Sequence, residues 1–273
     1  MATAINTAVT ILIPHFQTLD SIKLCLRSLR KFTRHPVAVR VLDNGSHDAS
    51  LNYLRSLKWI DLVETGRSNH IWHAHHETLN AAVPLVATPY FLLMHSDTYV
   101  HHPQWLEFLL DHACAGCVAV GPRHQRVPVR MLGWLPKALV QHLRVRERTP
   151  GVPALRSFCA LYETASFRQL GCQFSTADSL DVTCAVNEQL VRAGHRICGL
   201  SAFALSPYLF HASAVTLMAQ GVQPVAREEI KDACARGTSY LDHRTYRRST
   251  NCLQTFLHLS STRAVLADDA LDA

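Results

Sequence analysis

The chain has 273 residues, 48% of them apolar, enough for one large domain or two small ones with a sizeable core. Its 27 Lys and Arg against 21 Asp and Glu leave +6 with His neutral, a dispersed excess that argues against a nucleic-acid partner. No apolar run approaches a membrane span, and the start MATAINTAVTILIP lacks the basic region of a signal peptide. The nine Cys are odd in number and scattered, several inside apolar runs such as Cys25 and Cys198. That usage reads as buried thiols in a reducing, cytoplasmic compartment. Cys114 and Cys117 form a lone C-x-x-C with no second ligand pair, so zinc is not expected there. The denser basic patches, Arg144 to Arg148 and Arg244 to Arg248, read as solvated faces. Their other reading is peripheral contact with phosphates or with the anionic inner face of a membrane.

Val9 to Ile13 is β-branched and continuous, the pattern of a central parallel strand, and Pro14 is expected to end it. Leu19, Ile22, Leu26 and Leu29 then recur at helical spacing, with Lys23, Arg27 and Arg30 on the other side. After Pro36, Val37 to Leu42 predicts a second strand, closed by Asp43-Asn44-Gly45-Ser46. Gly45 permits a tight turn there, and Ser46 or Asp48 can cap a helix carrying Leu51, Leu54 and Leu57. Ile60 to Val63 predicts a third strand. Arg67 to His76 is polar and holds His70, His73, His75 and His76, expected as a solvent-facing loop before a helix with Leu79, Val83 and Val86. Tyr90 to Met94, bounded by Pro89, is too short for a helix and predicts a buried strand ending in His95-Ser96-Asp97. Pro103 is placed as the first turn of an amphipathic helix, QWLEFLLDH.

Beyond Val118 to Gly121, residues 122–153 are rich in Pro and Arg and read as a loop-rich insertion with one amphipathic piece, MLGWLPKALVQHL. Regularity returns at Ser157 to Tyr162. A helix from about Asp181 to Ala193 follows, closed by Gly194, and then a strand from Arg196 to Leu200. Residues 212–273 are expected to be mainly helical, with a frayed tail from Ala264.

Strand and helix alternate four times in the first half, which predicts an α/β fold with a doubly wound, mostly parallel sheet flanked by helices. Ligands of such sheets bind at the carboxyl ends of the strands, where Asp43 and Asp97 both fall. One acid is placed to read a base or ribose and the other to hold a metal–phosphate group. The chain has neither G-x-G-x-x-G nor G-x-x-x-x-G-K-[ST], so a dinucleotide cofactor or a P-loop is not expected.

Taken in order, VTILIPHF, CLRSL, VLDNGSHD, HETLN, TPYFLLMHSD, LVRAGHRI and FHAS resemble family 2 glycosyltransferases of the GT-A fold over residues 8–213. The resemblance implies a domain over 1–211, with a nucleotide-binding half to residue 100 and an acceptor half from 101 to 211, before the helical extension 212–273. It implies a nucleotide-sugar donor, transfer with inversion, and a glycan, lipid-linked or other hydroxyl acceptor. Pro14, His15 and Phe16 would line the nucleotide pocket. Asp43 would bond the base with Asn44 beside it, and His76 would face the donor. The D-x-D motif of the family, which holds the ribose and a divalent ion, stands here as His95-Ser96-Asp97, its first acid replaced by His. His211, in FHAS, would complete the metal site with Asp97 and His95. Oxygen ligands suit Mg2+ or Mn2+, and an imidazole tilts the choice toward Mn2+. The general base would be Asp178 or Asp181, with Asp181 favoured for its helix-length distance from Gly194 and the other acid left to cap the helix.

Two other classes remain to be separated from this. The His at the first D-x-D position is the mark of a degenerate transferase-like fold that binds nucleotide or glycan without turnover. A nucleotidyltransferase would want a Gly, Arg or Lys-rich phosphate loop after the first strand, where HFQTLD stands.

Overall fold

A computed structural model describes residues 9–66, 71–123, 152–153, 155–175, 181–213 and 256–273, with isolated positions between 215 and 254. The first half follows the alternation of its sequence: β1 (Val9–His15), α1 (Leu19–Phe32), β2 (Val37–Asp43), α2 (Ala49–Ser56), β3 (Asp61–Glu64), α3 (Ile71–Ala82) and β4 (Tyr90–Met94). There follow β5 (Thr98–Val100), α4 (Trp105–Cys114), β6 (Ala119–Pro122), β7 (Cys159–Glu163), α5 (Thr164–Gln169), α6 (Cys184–Arg192), β8 (Ile197–Leu200), α7 (Ala202–Leu205) and β9 (Leu209–His211). Among the described residues these strands form a seven-stranded sheet in the order β3-β2-β1-β4-β7-β6-β8, and β5 pairs with β9 in a small separate sheet. All neighbours in the large sheet run parallel except β7, which is antiparallel to both β4 and β6.

The period of two along each strand divides the core. Ile11, Ile13, Val41 and Leu92 face Ile22, Leu26 and Leu29 of α1 on one side of the sheet. Leu12, Leu42, Phe91 and Leu93 face Leu79, Val83, Phe167 and Leu190 on the other. On that second side Phe91 stacks on Tyr162 with centroids 5.4 Å apart and meets Phe167 edge-on at 5.1 Å. The doubly wound, mostly parallel sheet predicted from the alternation is the fold observed.

Several expectations change. Pro14 does not end β1: the strand runs on to His15. Pairing with β4 stops at Leu12, so Pro14 has only β2 beside it and the lost N–H leaves no gap in an inner ladder. The run Arg67 to His76 is not all loop, for α3 starts at Ile71; no Pro or Gly lies between there and Ala82, and the His and Trp that hid the helical period are tolerated in a helix. Position His70 lies outside the described residues, as does most of 122–153 with its MLGWLPKALVQHL piece and the patch Arg144–Arg148. Pro103 precedes the first helical residue of α4 by two positions, and Asp181 precedes α6 by three. Gly194 closes α6 in the left-handed conformation at φ 84° as expected.

One more departure lies in the C-terminal tail. Residues 212–273 include a short parallel pair, β10 (Pro224–Val225) with β11 (Leu241–Asp242), as well as the helix α8 (Ser260–Leu266). Phe256 stacks on Tyr99 at 5.1 Å and on Phe210 at 4.4 Å. The tail is not frayed. A 3-10 turn, Asp269–Asp272, lies on α1, where Arg27 is fully buried and its guanidinium donates to Asp272, to Asp269 Oδ1 at 2.5 Å and to the Leu266 carbonyl. A buried charge needs an opposite charge and hydrogen-bond acceptors, and here the tail supplies both. Among the described residues no helix is long and apolar enough to cross a membrane.

Candidate active site

The carboxyl ends of β1, β2 and β4 lie on one edge of the sheet because the three strands are parallel neighbours. At the β4 end the chain turns sharply, with the Thr98 N–H bonded to the His95 carbonyl at 3.0 Å. The next three residues form β5, and its antiparallel register sets Thr98 against His211 of β9. That pairing brings two distant stretches together. His211 Nε2 lies 3.2 Å from Asp97 Oδ1, and His95 Nδ1 lies 3.9 Å from the same oxygen. One ligand atom from each of His95, Asp97 and His211 falls within 4.8 Å of the others.

Each of these side chains is also held from behind. Asp97 Oδ2 accepts the Val215 N–H at 3.3 Å. His95 Nε2 meets Ser157 Oγ at 2.9 Å. The His211 ring stacks on Phe158, centroids 3.8 Å apart and planes 7° apart. Burial alone would raise the Asp97 carboxyl, but the His211 ring beside it, with His95 and the Val215 N–H, outweighs burial and holds it at about 2. Burial pushes His95 down to about 4 against the pull of Asp97, so at neutral pH its imidazole is uncharged. α1 supports the turn from below: Ser21 Oγ donates to the carbonyl of the buried Ser96 at 3.0 Å, and Ser28 Oγ accepts the Val100 N–H at 3.2 Å.

At the β2 end Asp43 is buried, and its Oδ2 accepts the N–H groups of Gly45 at 3.1 Å and Ser46 at 2.9 Å. Its Oδ1 is buried without a hydrogen-bond partner among the described residues. His15, its register partner on β1, is buried too, and its Nε2 meets Ser50 Oγ at 2.9 Å. Ser50 Oγ already donates to Asp48, so it accepts from His15, which puts the ring proton on Nε2 and leaves Nδ1 an acceptor. That Nδ1 likewise has no partner among the described residues. Burial lowers His15 to about 4, with Asp43 and Asp48 opposing. Asn44 Oδ1 accepts from Thr78 Oγ1 of α3 at 2.8 Å and from Thr65 Oγ1 at 3.1 Å, so its side chain ties the pocket wall together.

The β1–α1 turn departs from ordinary backbone. Gln17 and Thr18 both take left-handed conformations, at φ 54° and 71°, which for residues other than Gly costs about 1–3 kcal/mol each. The Gln17 N–H bond to Ser46 Oγ, at 2.7 Å, helps to hold this turn beside Asp43. Phe16 stands half-buried at the rim, edge-on to His47 at 6.2 Å. Pro14 is buried, and His76 is half-buried on α3, two residues before Thr78.

Asp181 is linked to the His–Asp–His cluster through one residue. Its carboxylate accepts the Ser157 N–H at 3.3 Å, and Ser157 is the residue that holds His95. The same carboxylate accepts from the Thr183 N–H at 3.3 Å and from Thr183 Oγ1 at 2.9 Å. The competing acid, Asp178, lies outside the described residues.

A family model described as glycosyl transferase family 2 matches residues 10–171, more than half of the chain. The chain belongs to this family. Among solved structures, the mannosyltransferase PcManGT from Pyrobaculum calidifontis, in complex with GDP-Man and Mn2+, matches at a TM-score of 0.54 and 19% identity. That match covers 71% of this chain and 54% of the other, so this chain spans about half the length of the mannosyltransferase. S. aureus TarS 1-349 matches at a TM-score of 0.50 and 15% identity, covering 96% of this chain and 75% of that one. At such identities the likeness is one of fold, the GT-A fold. No curated protein matches the chain.

The donor set fits the divalent ion that the fold family implies. Two imidazole nitrogens and one carboxylate oxygen converge, and each of the three side chains is oriented by a contact on its far side. Sequence reasoning missed Ser157, Phe158 and Val215, the residues that supply those contacts. Nothing in their local pattern marks them. The signal for α1 was present: Ser21, Cys25 and Ser28 stand four and three apart and make a second, small-residue stripe unsuited to a solvated face.

Proposed function

We propose that this family 2 glycosyltransferase moves a sugar, hexose by analogy of fold, from a nucleotide-sugar donor to an acceptor hydroxyl with inversion. The observation that carries the reading is the convergence of His95, Asp97 and His211 on the same sheet edge as Asp43. His95, Asp97 and His211 would hold a divalent ion, Mn2+ or Mg2+. When bound, that ion supplies the positive charge that a nucleoside diphosphate needs as it leaves. Asp43 Oδ1 and His15 Nδ1 are buried acceptors that would take N–H groups of the base. Pro14 and Phe16 form the wall of that pocket, Ser96 and His76 lie toward the ribose and sugar, and Asn44 keeps the wall in place.

Asp181 or Asp178 takes the proton of the acceptor hydroxyl as the new bond forms at the anomeric carbon. The linkage of Asp181 to the metal cluster through Ser157 supports Asp181. The acceptor is a hydroxyl on a glycan, a lipid-linked molecule or another small compound, in glycan biosynthesis on the cytoplasmic side of the membrane. The domain limits 1–211 and 212–273 belong to the same reading, with the nucleotide bound by residues before 100 and the acceptor by those from 101 to 211.

A second reading, binding without turnover, is favoured by one observation: the Asp181 carboxylate already accepts from two backbone N–H groups and a hydroxyl. A thermal-shift screen of UDP-, GDP- and dTDP-sugars with Mn2+ or Mg2+ tests both. A ligand at a hundred times its Kd adds about 2.7 kcal/mol of stability, an upward shift easily read. Release of nucleoside diphosphate from the donor that binds then separates transfer from mere binding. If no nucleotide sugar shifts the transition, the transferase reading fails. If one binds and none is consumed with any hydroxyl acceptor, the second reading replaces it.

A further inference from the structure

Beyond the metal cluster the same sheet edge carries two arginines. β7 runs antiparallel to β4 and to β6, and β8 runs parallel to β6. The carboxyl ends of β6 and β8 therefore share an edge with the carboxyl end of β4 and the amino end of β7. In the strand order, β1 and β2 lie on one side of β4, and β7, β6 and β8 lie on the other. Asp43 and His15 thus stand on one flank of His95 and Asp97, and the residues that leave β6 and enter β7 stand on the opposite flank. Arg123 follows Pro122, the last residue of β6, and Arg156 comes shortly before Cys159, the first of β7. Their backbones are tied together there: the Arg156 N–H bonds the Pro122 carbonyl at 2.8 Å, and the Arg123 N–H bonds the Leu200 carbonyl of β8 at 2.9 Å.

Arg156 Nη1 lies 4.0 Å from Asp181 Oδ2, and its side chain is 20% exposed. Its Nε is buried without a hydrogen-bond partner among the described residues. A buried guanidinium N–H with no acceptor costs free energy until a ligand supplies one. Arg123 is placed by Gly199 of β8. A Cβ at that glycine would stand 2.5 Å from Arg123 Cγ and 2.7 Å from Cδ, so the arginine stem lies flat on the bare strand backbone. Ile197 packs into the core that holds Val182 and the apolar face of α6, and Cys198 packs into the other. The period of two therefore turns Gly199, and the stem lying on it, to the side of the sheet that carries Asp181. A guanidinium fork matches the oxygens of a carboxylate or a phosphate with two parallel hydrogen bonds.

We propose that Arg156, with Arg123 beside it, binds an anionic group of the acceptor, a carboxylate or a phosphate monoester, a few bonds from the hydroxyl that receives the sugar. The inference rests on the transferase reading, in which Asp181 takes the proton of that hydroxyl. Arg156 Nε donates to the anion, and Asp181 Oδ2 on its other side keeps the fork beside the place where the hydroxyl must lie. The base and diphosphate of the donor belong to the opposite flank, so the two negative ligands are held apart with the metal cluster between them. An acceptor without the anion loses this anchor, and its hydroxyl reaches Asp181 less often.

The test has two arms, both on the full chain. In the first, the protein is stripped of metal with a chelator, so that no cation attracts the probe. Calorimetry then compares glycerol with glycerate and glycerol phosphate, and glucose with glucuronate and glucose phosphate. An anionic member is expected to bind at least about tenfold tighter than its neutral partner, the worth of one charge-assisted hydrogen bond, and the better of the two anions tells carboxylate from phosphate. In the second arm, release of nucleoside diphosphate from the donor that binds, with Mn2+, gives kcat/KM for the same compounds, and the same ratio is expected. Arg156→Gln should lower that ratio by about tenfold through the acceptor KM with nucleotide affinity within about twofold of the parent's, and Arg156→Lys, which keeps the charge but not the fork, should recover part of it. Gly199→Ala displaces the Arg123 stem without removing a charge and should lower the same ratio, and circular dichroism of each variant confirms that it is folded. Neutral compounds bound and used as well as anionic ones, an Arg156→Gln ratio equal to the parent's, or a loss in that variant that falls on the nucleotide instead would overturn the inference. Anion binding that Arg156→Gln abolishes, with no nucleotide sugar consumed, sinks the transferase reading and leaves the anion site standing; transfer that ignores the acceptor's charge does the reverse.

Discussion

Asp272→Ala is expected to destabilise the protein by about 3 kcal/mol, although it lies next to the last residue of the chain. Arg27 is fully buried on α1, with 0% of its side chain exposed, while Asp272 is 24% exposed and Asp269 is 86% exposed. The substitution removes Oδ1, which accepts from Arg27 Nε and from the Tyr53 hydroxyl at 2.8 Å, and Oδ2, which accepts from a terminal nitrogen of Arg27. What remains for the guanidinium is the Leu266 carbonyl and the exposed Asp269. Stranding one partner of a buried pair costs about 3–5 kcal/mol. Partial exposure of Asp272 reduces that to about 2–3 kcal/mol, and the lost Tyr53 bond adds about 1 kcal/mol. Asp269→Ala, at a solvated carboxylate, should cost less than about 1 kcal/mol.

Urea unfolding followed by far-UV circular dichroism measures both variants, and in a chain of this size the larger loss lowers Tm by roughly 6–12 °C. Arg27→Met combined with Asp272→Ala should recover most of the loss, since no charge is then left buried. Equal effects of Asp272→Ala and Asp269→Ala, or a double variant as unstable as the sum of its parts, would refute this account of the Arg27–Asp272 pair. The consequence reaches the site, because α1 carries the Ser21 and Ser28 hydroxyls that brace the turn holding His95 and Asp97.

Asp43→Ala should weaken nucleotide binding, read by calorimetry, more than it slows turnover of bound donor, and unchanged affinity would remove Asp43 from the base pocket. Asp181→Asn should lower kcat by about 10²–10⁴, with Asp178→Asn milder; the opposite ranking moves the base to Asp178, and two mild variants favour binding without turnover. Because Asp181 also anchors the Ser157 N–H, its Tm and its donor affinity are read beside the rate. His15 protonates at about 4 when folded, burial outweighing Asp43 and Asp48, and at its ordinary 6.5 when unfolded. The unfolded chain thus gains a proton first as pH falls, so stability is full above 6.5 and declines toward about 4, by at most about 3 kcal/mol. His15→Asn should flatten that part of the acid limb in a pH series of unfolding curves, and an unchanged limb would show that His15 is not the group responsible.

The strands that carry the site were legible because each is a short apolar run stopped by punctuation. Tyr90 to Met94 was read with its observed ends, and Val37 to Leu42 fell one residue short. The acids at the ends of those runs were legible as candidates by position, although an acid there also serves to cap a turn, as Asp43 does for Gly45 and Ser46. His211 was reached only through the family resemblance, because a three-residue strand near the end of an irregular region has no period to read. Arg27 falls by sequence with Lys23 and Arg30 on the side of α1 opposite its leucines, yet it is buried. Its neighbours gave an amphipathic pattern, and the acids that make its burial tolerable stand 242 and 245 residues away. Pro14 was read as a stop because Pro cannot join an inner ladder, a rule that fails where a strand outlasts one of its neighbours.

By itself the sequence determined the α/β alternation, the parallel strands and the two acidic strand ends, since these depend on local periodicity and on turn residues. The tertiary structure supplied the geometry by which His95, Asp97 and His211, grouped beforehand only by family resemblance, share one centre, and it alone decided that Ser157, Val215 and Phe158 aim them and that the C-terminal turn closes over Arg27. These contacts join residues far apart in the chain through the antiparallel β4–β7 and β5–β9 pairings or through a buried charge. Neither register nor charge compensation leaves a local trace, because each is settled only when the two partners meet.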